Sequence, residues 1–236
     1  MERVGTFNSD LQNSDVIEKF LYEKLFKILN PAAKYIGDDV EKQLTGSDVV
    51  LVHPNNDEVP VDIKCASDYA GQYLPTFILE LGAAPRGEFI KGWGINKKLK
   101  TQVYGLSWLH EATTSKVKNA SEIVAVEVML ADVNKMRRYI FEQANAEQID
   151  LWQAAQEMYY NREERRQYGK LKLHQSFKKA ERPINLIFSK SVWSQHLVNS
   201  TNCHFIVTQK GFHVIPANQW VDKDFVNEIL KKEALL

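Results

Sequence analysis

Little cysteine, no long apolar run and no net charge characterise this sequence, and each absence excludes a class of protein. Cys65 and Cys203 are the only cysteines and lie far apart, so neither a disulfide framework nor a CxxC zinc site is expected. No apolar stretch approaches the roughly 20 residues that cross a bilayer. The N-terminal MERVGTFNSDLQNSD is too polar for a signal peptide. We therefore expect a cytoplasmic protein with no membrane partner.

The absence of net charge excludes a histone-like protein that holds nucleic acid by bulk charge, because 30 Lys and Arg balance 30 Asp and Glu. This balance conceals an uneven distribution. Residues 1–62 contain six basic and twelve acidic residues, 86–100 contain five basic and one acidic, and 162–182 contain eight basic and three acidic. The two basic segments are therefore candidates for a local nucleic-acid surface on a neutral protein.

Apolar periodicity predicts a mixed α/β protein. Apolar residues from Asp15 to Leu29 recur at three- and four-residue steps, which predicts an amphipathic helix. Residues 82–100 lack periodicity and predict a long surface loop. The element order favours a mixed central β-sheet flanked by helices, in a single domain over 1–236. Within it we expect a catalytic core over about 15–130 and a helical and C-terminal α/β extension over about 131–236. Strands are predicted at 46–53, 58–66, 76–81, 102–109, 122–130, 184–188 and 204–215, and helices at about 132–146, 149–168 and 218–235.

The first two strand-like runs carry acidic residues, which strands usually disfavour. Asp48 lies near the start of the first run, and Asp62 and Lys64 lie near the end of the second. Because side chains alternate along a strand, Asp62 and Lys64 project from one face, and hairpin pairing can bring Asp48 beside them. Two close carboxylates repel unless a cation lies between them, and Mg²⁺ suits such a pair. A surface ion-pair ladder is the simpler alternative, but the apolar neighbours predict buried strands.

The segment GSDVVLVHPNNDEVPVDIK, preceded by a helix that carries Glu, resembles the signature of the PD-(D/E)xK nuclease superfamily. That superfamily includes many type II restriction endonucleases and repair or phage nucleases. The resemblance implies a restriction-endonuclease-like fold, Asp48 and Asp62 as metal ligands, the backbone carbonyl of Ile63 as a third ligand, and Lys64 as the catalytic lysine. It also implies Mg²⁺ as cofactor, with Mn²⁺ as a substitute, and a homodimer that cuts both strands of DNA. Ser47 stands where the superfamily name has Pro.

Two residues compete for the further acidic position of the site. On a helical wheel Glu18 lies beside the apolar face of the first helix and Glu23 lies on the far side, so Glu18 is preferred. Glu80 is the alternative, because it lies between Leu79 and Leu81 on the third strand-like run and points opposite to both. A solvent-facing acid is the simpler interpretation of Glu80. Asp38, Asp39 and Glu41 look like a solvated approach to the first strand.

The basic segments supply candidate DNA contacts. The first follows the third strand-like run in a Gly-rich loop with an exposed-looking Trp93, although a solvated loop explains it equally well. In the second, Tyr159, Tyr160, Tyr168 and Phe177 alternate with basic residues, but a solvated helix end is the stronger alternative. The helices over 132–168 are expected to give core or dimer surface through Met136, Ile140, Phe141, Trp152, Met158 and Tyr159. The candidate DNA-binding residues of the first segment are Arg86, Lys91, Lys97, Lys98 and Lys100.

Taken together, these features predict a Mg²⁺-dependent endonuclease that hydrolyses phosphodiester bonds of double-stranded DNA, most economically a type II restriction endonuclease. One alternative is a non-catalytic protein that uses the same scaffold to bind nucleic acid or a protein. Another is a structure-specific phage or repair nuclease, or one directed at RNA. The sequence has no P-loop, GxSxG or HExxH motif, and its six histidines are expected to be surface or core residues.

Overall fold

A computed structural model describes residues 6–36, 45–66, 69–85, 87–113, 117–177, 179–199 and 201–234, with side chains from Ser14 onward. The first helix, α1, covers Thr6–Leu21 and continues into a π-helical turn at Tyr22–Phe26 and a short helix α2 at Lys27–Leu29. The apolar side chains predicted to face the core are buried as far as Phe26. Ile28 and Leu29, which the periodicity placed on the same face, are 55% and 45% exposed. The wider π turn rotates the last residues off the apolar face.

A seven-stranded mixed sheet forms the first layer of the fold. Its order is β1-β2-β3-β6-β7-β11-β12, and every pairing is antiparallel except β3 with β6. The alternation of β-branched and apolar residues that predicted β2 and β3 also sets their register, in which Val49 pairs with Val61. The strands are β1 Lys34–Tyr35, β2 Val49–Val52, β3 Glu58–Cys65, β6 Val103–Ala112, β7 Ile123–Asp132, β11 His204–Thr208 and β12 Gly211–Val214.

A second, five-stranded sheet is entirely antiparallel and has the order β5-β4-β10-β9-β8. Helix α3, Val133–Ala146, packs on β9, and helix α4, Leu151–Asn161, packs on β4, β9 and β10. Asp150 caps α4 by accepting from the N–H groups of Trp152 and Gln153. The strands are β4 Thr76–Ala83, β5 Ile90–Lys91, β8 Arg165–Tyr168, β9 Leu171–Gln175 and β10 Ile184–Ser189.

The described chain divides into two compact units, each built from separate segments of the chain, and one of the boundaries between them falls between Asp132 and Val133. One unit comprises residues up to Pro75, Lys100–Asp132 and Ser194 onward, and it contains the seven-stranded sheet, α1 and the C-terminal helix α6, Lys223–Ala234. The other comprises Thr76–Leu99 and Val133–Trp193, with the five-stranded sheet, α3 and α4. The protein is therefore a mixed α/β protein with a mixed sheet and helices. None of the described helices is long and apolar enough to cross a membrane.

Several predicted elements differ from the structure. The helix expected over 149–168 ends at Asn161, because Arg162 adopts the left-handed conformation that closes a helix, and β8 follows. The hairpin β8–β9 and the short helix α5, Lys190–Ser194, were not predicted. Within the run expected at 204–215, Gly211 begins a second strand, so one predicted strand is a hairpin. Of the helical residues expected to give core or dimer surface, Met136, Ile140, Met158 and Tyr159 are buried, Trp152 is half-buried and Phe141 is exposed.

Candidate active site

Three of the predicted site residues come together on the β2–β3 hairpin. Asp48 directly precedes β2, and its N–H donates to the carbonyl of Val61 at 2.9 Å. This places it opposite Asp62 on β3. Asp62 and Lys64 lie two residues apart and therefore share one face of the sheet. The hairpin pairing expected from the sequence thus brings both carboxylates and the ammonium group to one place.

Backbone hydrogen bonds fix Asp48 on both sides. Its carbonyl accepts from the N–H of Ile36 at 2.9 Å, and its side-chain Oδ2 accepts from the N–H of Ile63 at 2.7 Å. A backbone donor aimed at one oxygen of a carboxylate stabilises its charged form and holds its orientation. Because this hydrogen bond holds the carboxylate, it also fixes the direction of the other carboxylate oxygen of Asp48.

Asp62 and Lys64 form a close ion pair in a mostly buried setting. Lys64 Nζ lies 2.6 Å from Asp62 Oδ1, and the two side chains are 29% and 3% exposed. Burial by itself lowers the pKa of the Lys64 ammonium, but the carboxylates of Asp62, Asp48 and Glu18 more than offset it and raise the pKa above its ordinary value. Lys64 therefore stays charged throughout the physiological range. Asp62 Oδ2, in contrast, is buried without a hydrogen-bond partner.

Glu18 joins this group from α1. Burial raises the pKa of its carboxyl to about 8, and repulsion from Asp48 adds to the rise while Lys64 partly offsets it. Burial likewise raises the pKa of Asp48 to about 7, with Asp62 as the next largest cause and with Lys64 and the Ile63 N–H acting in the opposite sense. Three carboxyl groups thus share one ammonium group. The site has an excess of negative charge that its own residues do not neutralise at high pH.

The donor atoms at this site are carboxylate oxygens, the ligands that hard divalent cations prefer. Asp62 Oδ2 has no hydrogen-bond partner, and Asp48 lies against the Asp62 carboxyl. A nearby cation lowers the pKa of carboxyl groups such as those of Asp48 and Glu18. No group of three or more His, Cys, Asp or Glu side chains in the described part of the chain is arranged to hold a metal ion. Mg²⁺ binds through one or two carboxylates and keeps several waters, which matches this arrangement.

Glu80 does not lie on the strands that carry Asp62 and Lys64. β3 pairs with β2 and β6, whereas the third predicted run, β4, pairs with β5 and β10 and belongs to the second sheet. Its Glu80 pairs in register with Asn185 of β10 and accepts, through its carbonyl, from the N–H of Gly94. Glu18, the preferred acidic candidate, lies near Asp48, Asp62 and Lys64.

Residues 87–99 of the basic loop belong to the second unit, whereas Lys100 belongs to the first. The side chain of Lys91 lies over the Trp152 ring at 5.5 Å, and Lys97 and Lys98 are exposed. Lys100 belongs to the first unit, where its N–H donates to Thr45 and its side chain is exposed. Arg86 lies outside the described residues. Trp93, which looked exposed, is half-buried.

Arg137 of α3 fixes this loop and was not recognised in the sequence. Its guanidinium donates to the backbone carbonyls of Trp93, Gly94 and Asn96 at 3.1–3.3 Å. One arginine that satisfies three carbonyls holds a loop in a single conformation. No local pattern around Arg137 identifies these partners, because they lie more than forty residues away in sequence.

A second buried polar cluster, also unpredicted, lies in the seven-stranded sheet. Glu127 of β7 accepts from Nε2 of His110 at 2.5 Å and contacts Nε2 of His204 at 2.8 Å, and all three side chains are at most 1% exposed. His204 donates from Nδ1 to the carbonyl of Pro216. The carboxyl group thus links three neighbouring strands inside the core. This confirms that two of the six histidines are core residues.

Comparison of the chain with protein-family models, with curated proteins and with solved structures gave no match.

Proposed function

We propose that the protein is a Mg²⁺-dependent endonuclease that hydrolyses phosphodiester bonds in DNA, with a restriction-endonuclease-like arrangement of its active site. The observation that carries this proposal is the convergence of Glu18, Asp48, Asp62 and Lys64, on a helix and two adjacent strands, in a mostly buried setting. The simpler alternative, an exposed ion-pair ladder, does not account for a 3% exposed Asp62 with an oxygen that lacks a partner.

Asp48 and Asp62 hold the ion in this proposal, with the backbone carbonyl of Ile63 as a further ligand. A bound Mg²⁺ supplies Lewis-acid polarisation of the scissile phosphate and lowers the pKa of a coordinated water. The raised pKa of Asp48 means that metal binding displaces a proton at neutral pH. The charged form of Asp48 is already oriented by the Ile63 N–H.

Lys64 provides the positive charge that the reaction needs beside the metal site. Its pKa is raised and its ammonium group is held by Asp62, so it is a fixed cation rather than a proton acceptor in its resting state. In that role it stabilises charge that develops on the phosphoryl oxygens and positions the attacking water. Glu18 accepts a proton or orients water from the helix side, because its raised pKa lies near neutral pH.

The test uses supercoiled plasmid DNA and linear duplexes incubated with Mg²⁺. Wild type is compared with Asp62→Asn, Lys64→Met and the control Glu23→Gln, which changes an exposed glutamate on the helical segment that follows Glu18. We expect cleavage by wild type and the control, and a loss of at least about a hundredfold in both site variants. Equal cleavage by all four proteins, or no cleavage by wild type on any of several DNA substrates, contradicts the proposal.

A type II restriction endonuclease is the form of the activity that we propose, with a homodimer that cuts both strands. Double-strand breaks at fixed positions, mapped by sequencing the ends, support this form. Nicks at scattered positions or cleavage restricted to branched DNA favour a structure-specific phage or repair nuclease instead. Sedimentation of the purified protein measures whether the expected dimer forms.

A further inference from the structure

The hairpin β8–β9 presents a solvent face that consists only of cationic and hydrogen-bonding side chains. Along β8 the exposed residues alternate with half-buried ones, and along β9 buried leucines alternate with polar residues. The register pairs Arg165 with His174 and Gln167 with Lys172. These four residues therefore share one face, which we call the hairpin face.

The opposite side of the hairpin packs against its own unit and is electrically balanced. Arg166 donates to both Glu163 and Glu157 and to the hydroxyl of Tyr168, which holds the pKa of both carboxyls below their ordinary value. Leu171 and Leu173 are buried on that side. The charge of Arg166 is thus used within the structure, whereas Lys172 on the hairpin face forms no ion pair with any described residue.

Few carboxylates accompany the cations of the hairpin face. Residues 162–175 contain five Lys or Arg against two Glu, a net charge of +3. Arg165, 79% exposed, contacts its sequence neighbour Glu164 at 3.4 Å. Lys172 and the turn residue Lys170 are exposed and form no ion pair with any of the residues that the structure describes. Glu147 lies at the turn, against Gly169.

The cross-strand pairs on the hairpin face are not of the kinds that stabilise a sheet. Opposite-charge and aromatic cross-strand pairs stabilise a sheet. Arg165 faces His174, and Gln167 faces Lys172, so neither pair is of these kinds. Gln167 Nε2 donates to the carbonyl of Gly169 at 2.9 Å, whereas a polyanion on this face accepts from Arg165 and Lys172.

We propose that the hairpin face is a contact surface for double-stranded DNA. The pairing of β9 with β10 ends at Leu173, so the turn end of the hairpin, 167–172, is two-stranded. A two-stranded β-ribbon fits the major groove, which is about 12 Å wide. Its side chains are of the types that read base edges there: Arg and Lys pair with guanine, and Gln pairs with adenine. Lys170 at the turn adds a cation for a phosphate. The inference rests on the proposed function for its choice of DNA as the polyanion, but it concerns a surface on the other compact unit and does not involve the catalytic residues.

Affinity for a mixed-sequence duplex tests this inference, with Ca²⁺ replacing Mg²⁺ to suppress cleavage. Wild type is compared with Arg165→Ala/Lys172→Ala and with the control Lys231→Ala/Lys232→Ala, which removes the same charge from exposed positions of α6. We expect the hairpin variant to bind at least about tenfold more weakly at about 0.1 M salt. The slope of log K against log salt should fall by about 2, whereas the control should match wild type.

Gln167→Ala separates base readout from charge. It should leave the salt slope unchanged and alter the preference among duplexes of different sequence, measured by selection from a random pool. Equal affinity and slope for the hairpin variant and its control overturn the inference, as does a wild type that binds no duplex.

Edge-strand protection is the competing explanation, because β8 lies at the edge of its sheet and charged edges prevent association. Self-association of the hairpin variant with unchanged DNA affinity supports that explanation and overturns ours. Plasmid cleavage is measured separately. Loss of DNA binding in the hairpin variant while wild type lacks nuclease activity supports the hairpin face and refutes the proposed catalysis. Plasmid cleavage by wild type together with unchanged DNA affinity of the hairpin variant supports the proposed catalysis and refutes the hairpin face.

Discussion

Neutralising Glu18 should stabilise the metal-free protein at alkaline pH and leave its stability almost unchanged at acidic pH. Burial raises the pKa of Glu18 from 4.5 to about 8 in the folded state. Between these values the folded state binds a proton that the unfolded state has lost, so the free energy of unfolding falls as pH rises, by up to about 1.4 kcal/mol per pH unit. Below about pH 4 the carboxyl is protonated in both states and contributes no difference.

Asp48 has the same sign, since its pKa rises from 3.8 to about 7. The two shifts are not additive, because repulsion from Asp48 contributes to the Glu18 shift. We therefore expect the wild-type free energy of unfolding to fall by roughly 2–4 kcal/mol between pH 5 and pH 8. The raised pKa of Lys64 makes a stabilising contribution, but it is lost only above the ordinary lysine pKa of 10.5 and lies outside this window.

The assay is urea denaturation at pH 5, 6, 7 and 8 in the presence of a chelator, with wild type, Glu18→Gln and the control Glu23→Gln. Glu23 is 57% exposed and forms an ion pair with Lys27, so its variant should follow wild type within about 0.5 kcal/mol at every pH. Glu18→Gln should differ from wild type by under about 1 kcal/mol at pH 5 and exceed it by about 2 kcal/mol or more at pH 8. Parallel profiles for Glu18→Gln and wild type, or a Glu18→Gln protein that is less stable at pH 8, refute the reasoning.

Three further predictions use other measurements. Mg²⁺ binding should release about one proton at pH 7 and almost none at pH 9, because Glu18 and Asp48 carry protons near neutral pH but not at pH 9. Calorimetry in buffers of different ionisation enthalpy counts the released protons. Equal release at both pH values contradicts metal binding at these carboxyl groups. Glu127→Ala should destabilise the protein by about 3–5 kcal/mol in urea, since two buried histidines lose their shared partner; a change below about 1 kcal/mol would show that the cluster is structurally neutral. Gly94→Ala should destabilise by about 1–3 kcal/mol, because a Cβ there meets Leu79, whereas Gly87→Ala has open space and only its positive φ to overcome; the order of the two thermal midpoints checks this.

The elements that the sequence predicts correctly are those whose pattern is local. The helix from Asp15, the strands β2 and β3, and the cluster of Asp48, Asp62 and Lys64 follow from a 3.6-residue period, from alternation and from hairpin register. Each of these needs only residues within about twenty positions of one another. The placement of Glu18 beside them is a small extension of the same argument, since the helical wheel already put it at the margin of the apolar face.

The elements that the sequence misses depend on distant partners. Strand β4 is predicted correctly as a strand, but its partner is β10, and nothing in residues 76–83 identifies that partner. The hairpin β8–β9 is too polar to read as strands, because half of its residues face solvent and one arginine, Arg166, packs inward by pairing with two glutamates. The Glu127 cluster joins three strands through residues 77 positions apart. Tertiary contacts override local preference in each case.

The pairing of β4 with β10 has a consequence for synthesis of the chain. Thr76 pairs with Ser189, so the partner strand emerges from the ribosome more than a hundred residues later. At typical elongation rates that interval is about 5–20 s. During it the two-residue β5 is the strand partner of β4 within its own sheet, and helix α4, which is also synthesised before β10, packs on it. Phe77, Leu79 and Leu81, all buried in the finished fold, therefore lack their β10 neighbours throughout that interval. We expect overproduction at a lower temperature to raise the soluble yield.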